Sequence, residues 1–341
     1  MHELLTIGLT GDVMLGRTLD TIVAQRGYPY PWGNLLSLLL QTDINIINLE
    51  TTFTTSERLT KKTYNFKAAP DKIQSLLQAN ISVVNLANNH ILDFSGDGLI
   101  ETIHTLEVAG IKHVGAGMNY AEASKAIVIN KNNVRIGVLG VTDNEPDWKA
   151  GTNPGINYID LDREEDKKKI ISTIEKLRSE TDIIIVSIHW GFNMVERPSA
   201  AFTHFAHAMI DHGANVIHGH SAHILQGIEC YNNSLILYDT GDFVDDYAVD
   251  DHLRNDLSAF FMLTLNKTGV IRLKIIPVRI SNYQASIARG EDNTWVIDRI
   301  KFLSSAFKTR VNDKNEIWLN TLYKNQEEAE SKSKPESNHY V

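Results

Sequence analysis

Apolar residues fall in short runs along this chain, separated by amphipathic segments. The runs 4–10, 43–49, 82–86, 126–130, 134–140, 183–188, 216–219 and 235–238 predict strands. Several are near-continuous Val, Ile and Leu, the pattern of strands covered on both faces. Between them, 70–79, 98–109, 163–178 and 199–212 carry helical spacing. The last places Phe202, Phe205, Ala206, Met209 and Ile210 on one face and opens at Ser199, whose hydroxyl suits an N-cap. Strands alternating with helices predict an α/β fold rather than an all-α or all-β one.

Further along, 259–278 reads as two strands around Asn266-Lys267-Thr268-Gly269, a hairpin packed on the main domain, and 294–323 reads as helical. Residues 143–157 are turn-rich and predict a surface loop or lid. The resulting division is a main domain over 1–250, a hairpin and helical extension of the same globule over 251–324, and a disordered tail over 325–341, where Glu, Ser, Lys and Asn dominate.

Composition narrows the picture. At 341 residues and 43% hydrophobic, the chain buries a sizeable core. Its 42 acidic against 33 Lys and Arg residues argue against a nucleic-acid partner or an anionic membrane surface. One cysteine, Cys230, excludes a disulfide framework and a thiolate metal cluster, and is expected to be a small core residue. The start of the chain has no basic segment followed by an apolar run, and no stretch approaches the roughly 20 apolar residues of a membrane span. A cytoplasmic location is the expectation.

Chemistry concentrates at the strand ends, where open α/β sheets bind ligands. The first strand runs into Gly11-Asp12 and the second into Asn48-Leu49-Glu50. The third is followed by Asn88-Asn89-His90, with Asp93 beyond. The strand 183–188 delivers His189-Trp190-Gly191, and 216–219 runs through His218 to His220 and His223. Carboxylate, carboxamide and imidazole are the ligands of a divalent cation such as Mn, Zn or Fe, and the wrong set for a closed structural zinc. One or two such ions per chain are expected, with Glu50 as the anionic donor between a pair. Paired cations clamp a phosphoryl group and lower the pKa of a bound water to about 7. His90, oriented by Asp93, would then protonate the leaving oxygen. His204, His207 and Asp211 read instead as a solvated helix face, and Asp245, Asp246, Asp250 and Asp251 as an exposed loop, with an approach to the site as the alternative. Trp32, Tyr64 and Trp148 are candidates for a pocket wall or for packing.

In this order, Gly-Asp-Val-Met-Leu-Gly-Arg, Asn-Leu-Glu-Thr-Thr, Asn-Leu-Ala-Asn-Asn-His, His-Trp-Gly and Gly-His-Ser-Ala-His resemble the motifs of CapA-type poly-γ-glutamate capsule-biosynthesis proteins. Tyr64–Pro70 and Tyr238–Phe243 extend the resemblance, which covers about residues 5–245. That family is similar to the calcineurin-like metallophosphoesterases, which implies a two-sheet α/β/β/α sandwich carrying two metals. By the same resemblance Asp12 and His223 would hold one metal, Asn89, His189 and His220 the other, and Glu50 would bridge. His90 matches the catalytic His, and Arg17 would contact an anionic substrate group. Met14 stands where the phosphoesterase Asp-x-His motif has its His, Glu50 replaces the usual Asp, and the Gly-His-x-His motif is one residue longer.

The expected function is a metal-dependent hydrolase of a phosphate ester or related anionic substrate. Its partner would be a small anionic molecule or a polyglutamate-type polymer. The alternatives are an accessory or binding protein of polyglutamate synthesis or export with a vestigial metal site, and a hydrolase of γ-glutamyl amides.

Overall fold

The computed structural model describes residues 4–320. A nine-stranded sheet has the order Gln284–Ile287, Gly269–Ser281, Leu257–Asn266, Leu5–Val13, Ile44–Leu49, Ile81–Asn85, Lys112–Val114. Within it Asp242–Val244 also pairs with Leu5–Val13, and Glu316–Trp318 with Gly269–Ser281. A six-stranded sheet has the order Ile228–Tyr231, Ser234–Leu237, Val216–His220, Ile183–His189, Val134–Thr142, Ile127–Lys131. The middle of each sheet is parallel.

Parallel strands need cover on both faces. Ile44–Leu49, Ile183–His189 and Val216–His220 are buried at every position. Alternation along each strand divides this burial between layers. Leu9, Ile46 and Val83 of the first sheet meet Val138, Ile185 and Leu237 of the second in a central apolar layer. On the outer face of the first sheet, Ile47 and Val84 pack beneath Leu99, Ile103 and Leu106 of the helix Ser95–Ala109. On the outer face of the second, Ile184, Val186 and Ile217 pack beneath the helices Glu164–Glu180 and Ala200–Asp211. Each fully buried Val, Leu or Ile contributes roughly 1.5–3 kcal/mol, so the central layer fixes one sheet against the other. The fold is mixed α/β, and Ser199 caps its helix by accepting the Phe202 N–H at 3.2 Å. Among the described residues no helix is long and apolar enough to cross a membrane.

Several expectations are corrected. The helix read over 294–323 forms at Gly290–Ser305, and Glu316–Trp318 is a strand. The helix ends at Ser305 in a turn where Lys308 takes a φ of 59° and the Thr309 N–H returns to the Ser304 carbonyl at 3.2 Å. Beyond it the Asn312 side chain accepts the backbone N–H groups of Lys314 and Glu316, both at 2.9 Å. The end of that stretch and the expected tail over 325–341 lie outside the described residues. The hairpin is part of the sheet rather than packed upon it. Leu257–Asn266 pairs antiparallel with Leu5–Val13, whose backbone groups would otherwise form an open edge. Cys230 is exposed on the edge strand Ile228–Tyr231 and is no core residue. Trp32 is fully buried and donates Nε1–H to the Ser75 carbonyl at 2.8 Å, so it belongs to the core. His204 and Asp211 are exposed on their helix, whereas His207 is half-buried 3.0 Å from Glu229.

Candidate metal centre

Strand register assembles the site. Asp12 lies on Leu5–Val13 itself, opposite both Asn48 and Asp242. On the other sheet His189 lies opposite His220. Two glycines permit the close approach. A Cβ at Gly11 would stand 1.7 Å from the Gly241 carbonyl oxygen, and one at Gly219 would stand 2.1 Å from that of Tyr238. Each glycine precedes a site residue, so Gly-Asp and Gly-His are packing requirements as much as chemical ones.

The side chains converge. Asn48 Nδ2 donates to Asp12 Oδ1 at 2.7 Å. His189 Nε2 is 3.1 Å from Asn89 Oδ1 and 3.4 Å from Glu50 Oε1. His189 Nδ1 and His220 Nδ1 are 2.9 Å apart. His223 Nδ1 lies 2.7 Å from Asp242 Oδ1 and 3.4 Å from Asp12 Oδ2. Donor atoms of Asp12, His189 and His220 lie within 4.8 Å of one another, as do those of Asp12, Glu50 and His223. Asp12 is common to both groups, while the resemblance assigns the bridging place to Glu50. Met14 is fully buried in the apolar cluster on the outer face of the first sheet.

Beside this cluster, His90 Nδ1 is 2.7 Å from Asp93 Oδ2, which also accepts the Phe66 N–H at 2.7 Å. Lys62 Nζ lies 3.2 Å from Asp93 Oδ1, and the His90 ring stacks on Phe66 at 3.8 Å.

Burial, then the neighbouring Glu50 carboxylate, raises the pKa of Asp12 well above the usual range. Burial also favours a charge-free Glu50, but His223, His189 and His90 outweigh it and hold that pKa below the ordinary value. Desolvation lowers His189 to about 3 and His220 far below its usual value, so both rings are neutral and have lone pairs to offer. His223 goes the other way: burial opposes its charge, but Asp242, Glu50 and Asp12 raise its pKa strongly. Among the described residues, the buried oxygens Asp12 Oδ2, Glu50 Oε1 and Asp242 Oδ2 make no hydrogen bond, and the imidazole nitrogens facing the first two stand 3.4 Å away. Buried anionic oxygens demand compensation. A set of carboxylates, a carboxamide and neutral imidazoles fits a divalent cation of the Mn, Zn or Fe kind.

A cavity of about 370 Å³ opens on this cluster, lined among others by Arg17, Tyr64, Phe66, His90, His223 and Tyr247. The Arg17 guanidinium lies 5.4 Å from the Phe66 ring centroid and pairs with Asp246 at 3.3 Å. The expected residues Asp12, Arg17, Glu50, Asn89, His90, Asp93, His189, His220 and His223 therefore meet around one cavity and its floor. Of the aromatic candidates Tyr64 lines it, whereas Trp148 is half-buried with Lys62 Nζ 4.7 Å from its ring centroid.

Sequence reasoning missed three partners. Asp242 opens the three-residue strand Asp242–Val244, which is too short for its pattern to be read. Asn48 was visible as a strand end without a role. Tyr247, whose hydroxyl donates to Glu50 Oε2 at 3.1 Å, has no local signal. It arrives on the acidic loop, which folds inward to the site, the alternative to full exposure. Asp245 is buried and accepts the Tyr247 N–H at 2.8 Å, and its desolvated carboxyl is driven well above the usual pKa. Asp250 is half-buried, and Asp251 is exposed as expected.

Comparison with known proteins follows the same stretch of chain. Residues 6–247 match the family described as "Bacterial capsule synthesis protein PGA_cap". A Mycobacterium tuberculosis protein named as a probable polyglutamine synthesis accessory protein is 31% identical, covering 91% of this chain and 93% of its own. The capsule biosynthesis protein CapA of Bacillus anthracis is 28% identical over 94% of this chain and 79% of that protein. The PGA biosynthesis protein CapA of Bacillus subtilis is 29% identical over 82% and 72% respectively.

Proposed function

The chain belongs to the bacterial capsule synthesis protein family PGA_cap, and from that premise we propose that it is a metal-dependent hydrolase of a phosphate ester or related anionic substrate. The observation that carries this reading is the convergence of buried Asp12 and Glu50, each with an oxygen that makes no hydrogen bond, on the buried rings of His189 and His220 beside an open cavity. In this reading the layered sheets are a calcineurin-like metallophosphoesterase sandwich. Asp12, Glu50, Asn89, His189, His220 and His223 would hold one or two divalent cations. When bound, such cations supply charge neutralisation at the phosphoryl oxygens and a water acidic enough to react near neutral pH.

The chain's own groups supply the rest. With His90 Nδ1 engaged by Asp93 at 2.7 Å, Nε2 is free to hold a proton for the leaving oxygen. Phe66 stacks under the ring and holds its plane. Arg17, on the cavity wall, would receive an anionic group of the substrate, either a small molecule or the end of a polyglutamate-type polymer.

A second reading, an accessory or binding protein of polyglutamate capsule synthesis with a vestigial centre, draws support from two observations. One is the word "accessory" in the mycobacterial relative's name. The other is the buried, apolar Met14 in the place of a ligand His.

Elemental analysis of wild type beside Glu50→Ala and His220→Ala separates the two. One or two Mn, Zn or Fe ions per wild-type chain, lost in both variants, with turnover abolished in a His90→Ala protein that keeps its metal, is the hydrolase outcome. No metal in wild type after reconstitution with Mn or Zn overturns it in favour of the accessory role.

A further inference from the structure

We propose that His218 and Ser187 are positioning residues that hold His220 in one tautomer, with Nε2 protonated and the Nδ1 lone pair turned toward the cluster of Asp12 and His189. The inference rests on the metal-centre reading and extends it to two residues that touch neither Asp12 nor Glu50.

The assignment follows from counting protons along a chain of contacts. It starts at the carbonyl of Thr10, which only accepts. His218 Nε2 lies 2.7 Å from that oxygen and must therefore carry a hydrogen. Thr240 Oγ1, 3.5 Å from the same nitrogen, directs its own hydroxyl to the Gly219 carbonyl at 2.9 Å and leaves the assignment unchanged. A neutral ring protonated at Nε2 has a bare Nδ1, and His218 Nδ1 stands 3.3 Å from Ser187 Oγ. The single hydroxyl hydrogen of Ser187 goes to that nitrogen. The oxygen is then left to accept, and the group facing it at 3.0 Å is His220 Nε2, which must donate. His220 Nδ1 is thereby left unprotonated. It lies 2.9 Å from His189 Nδ1 and 3.8 Å from Asp12 Oδ1, on the side of the ring where the ligand atoms gather.

Burial makes the chain decisive. Thr10, Ser187, His218 and His220 are all fully buried, so water does not supply an alternative donor or acceptor. Inside a protein a misdirected hydrogen is costly, because the group it should have met stays unpaired. The register provides the framework: Ser187 is the pairing partner of His218, as His189 is of His220, on adjacent parallel strands. The His-Gly-His spacing therefore puts the two imidazoles on the same face of one strand, the first serving the second.

Partners that orient a ligating imidazole typically matter 10–100-fold in metal affinity. The test is the ring-nitrogen NMR spectrum of His220 in metal-free protein, read with Mn(II) and Zn(II) titration calorimetry. The expected wild-type spectrum has a protonated Nε2 and a bare Nδ1. Ser187→Ala is expected to mix the two tautomers and to weaken both metals by about 10–100-fold. A wild-type His220 protonated at Nδ1 while metal still binds overturns this proposal alone. So does a folded Ser187→Ala protein with an unmixed tautomer and unchanged affinity. Failure of the wild type to bind either ion overturns the metal-centre reading beneath it. The wild-type spectrum needs no substitution and decides the tautomer even where a variant does not fold.

Discussion

Asp93 is fully buried and stands 2.7 Å from His90 Nδ1, so the imidazole has one fixed edge and one free edge. In Asp93→Asn the side chain keeps its volume but loses one carboxylate oxygen, of a pair whose Oδ2 fixes both the Nδ1 edge of the ring and the Phe66 N–H. Metal content should stay at the wild-type level while turnover of a phosphoester substrate falls about 10²-fold, the lower end of general acid–base effects. Unchanged turnover would remove His90 from the mechanism.

Asp12 illustrates a conflict between stability and function. Its carboxylate is buried, one oxygen meets no donor, and burial with the neighbouring Glu50 makes its ionised form costly. Asp12→Asn removes that charge and retains an acceptor for Asn48. The metal-stripped variant is expected to melt at or a few degrees above stripped wild type, while losing the rise in Tm that Mn or Zn brings to wild type. A stripped variant that melts well below wild type would contradict this account.

Away from the site, Asp166 offers a pH test. Burial works against its charge, but Lys149 and Lys169 prevail and hold its pKa down at about 2. A carboxyl depressed in the folded state stabilises above its unfolded pKa, about 3.9, and the contribution fades as pH falls through the folded value. The difference in urea midpoint between wild type and Asp166→Asn should therefore be full above about pH 4 and shrink toward pH 2. A difference that stays constant over that window would show that the two lysines do not act through the charge.

Trp32 distinguishes packing from pocket lining. Trp32→Phe leaves a void in a fully buried position and an unpaired Ser75 carbonyl. The expected cost is about 2–3 kcal/mol in denaturant unfolding, with metal content and turnover unaltered. A change in KM without loss of stability would return Trp32 to the substrate cavity.

Much of the architecture was readable in short stretches. The runs 43–49 and 183–188 are buried strands because Ile and Val have no exposed face to offer, and Ile44–Leu49 and Ile183–His189 bear this out. The C-terminal helix stops at Ser305, short of the expected end, because Lys308 takes a left-handed φ that no periodicity announces. Asp242 begins a strand of only three residues, so no strand end points to it. Tyr247 obeyed no rule, since its contact with Glu50 spans 197 residues.

By itself, then, the sequence determined which segments are strands and which residue types stand at their ends, because backbone preference and side-chain alternation are properties of neighbours along the chain. Tertiary structure alone decided that Asp12 faces Asn48 and Asp242, that His189 faces His220, and that the acidic loop turns inward to place Tyr247 on Glu50. Those relationships come from strand register and from the packing of one sheet on another. Both are settled by burying apolar area between segments far apart in the chain, which no local pattern records.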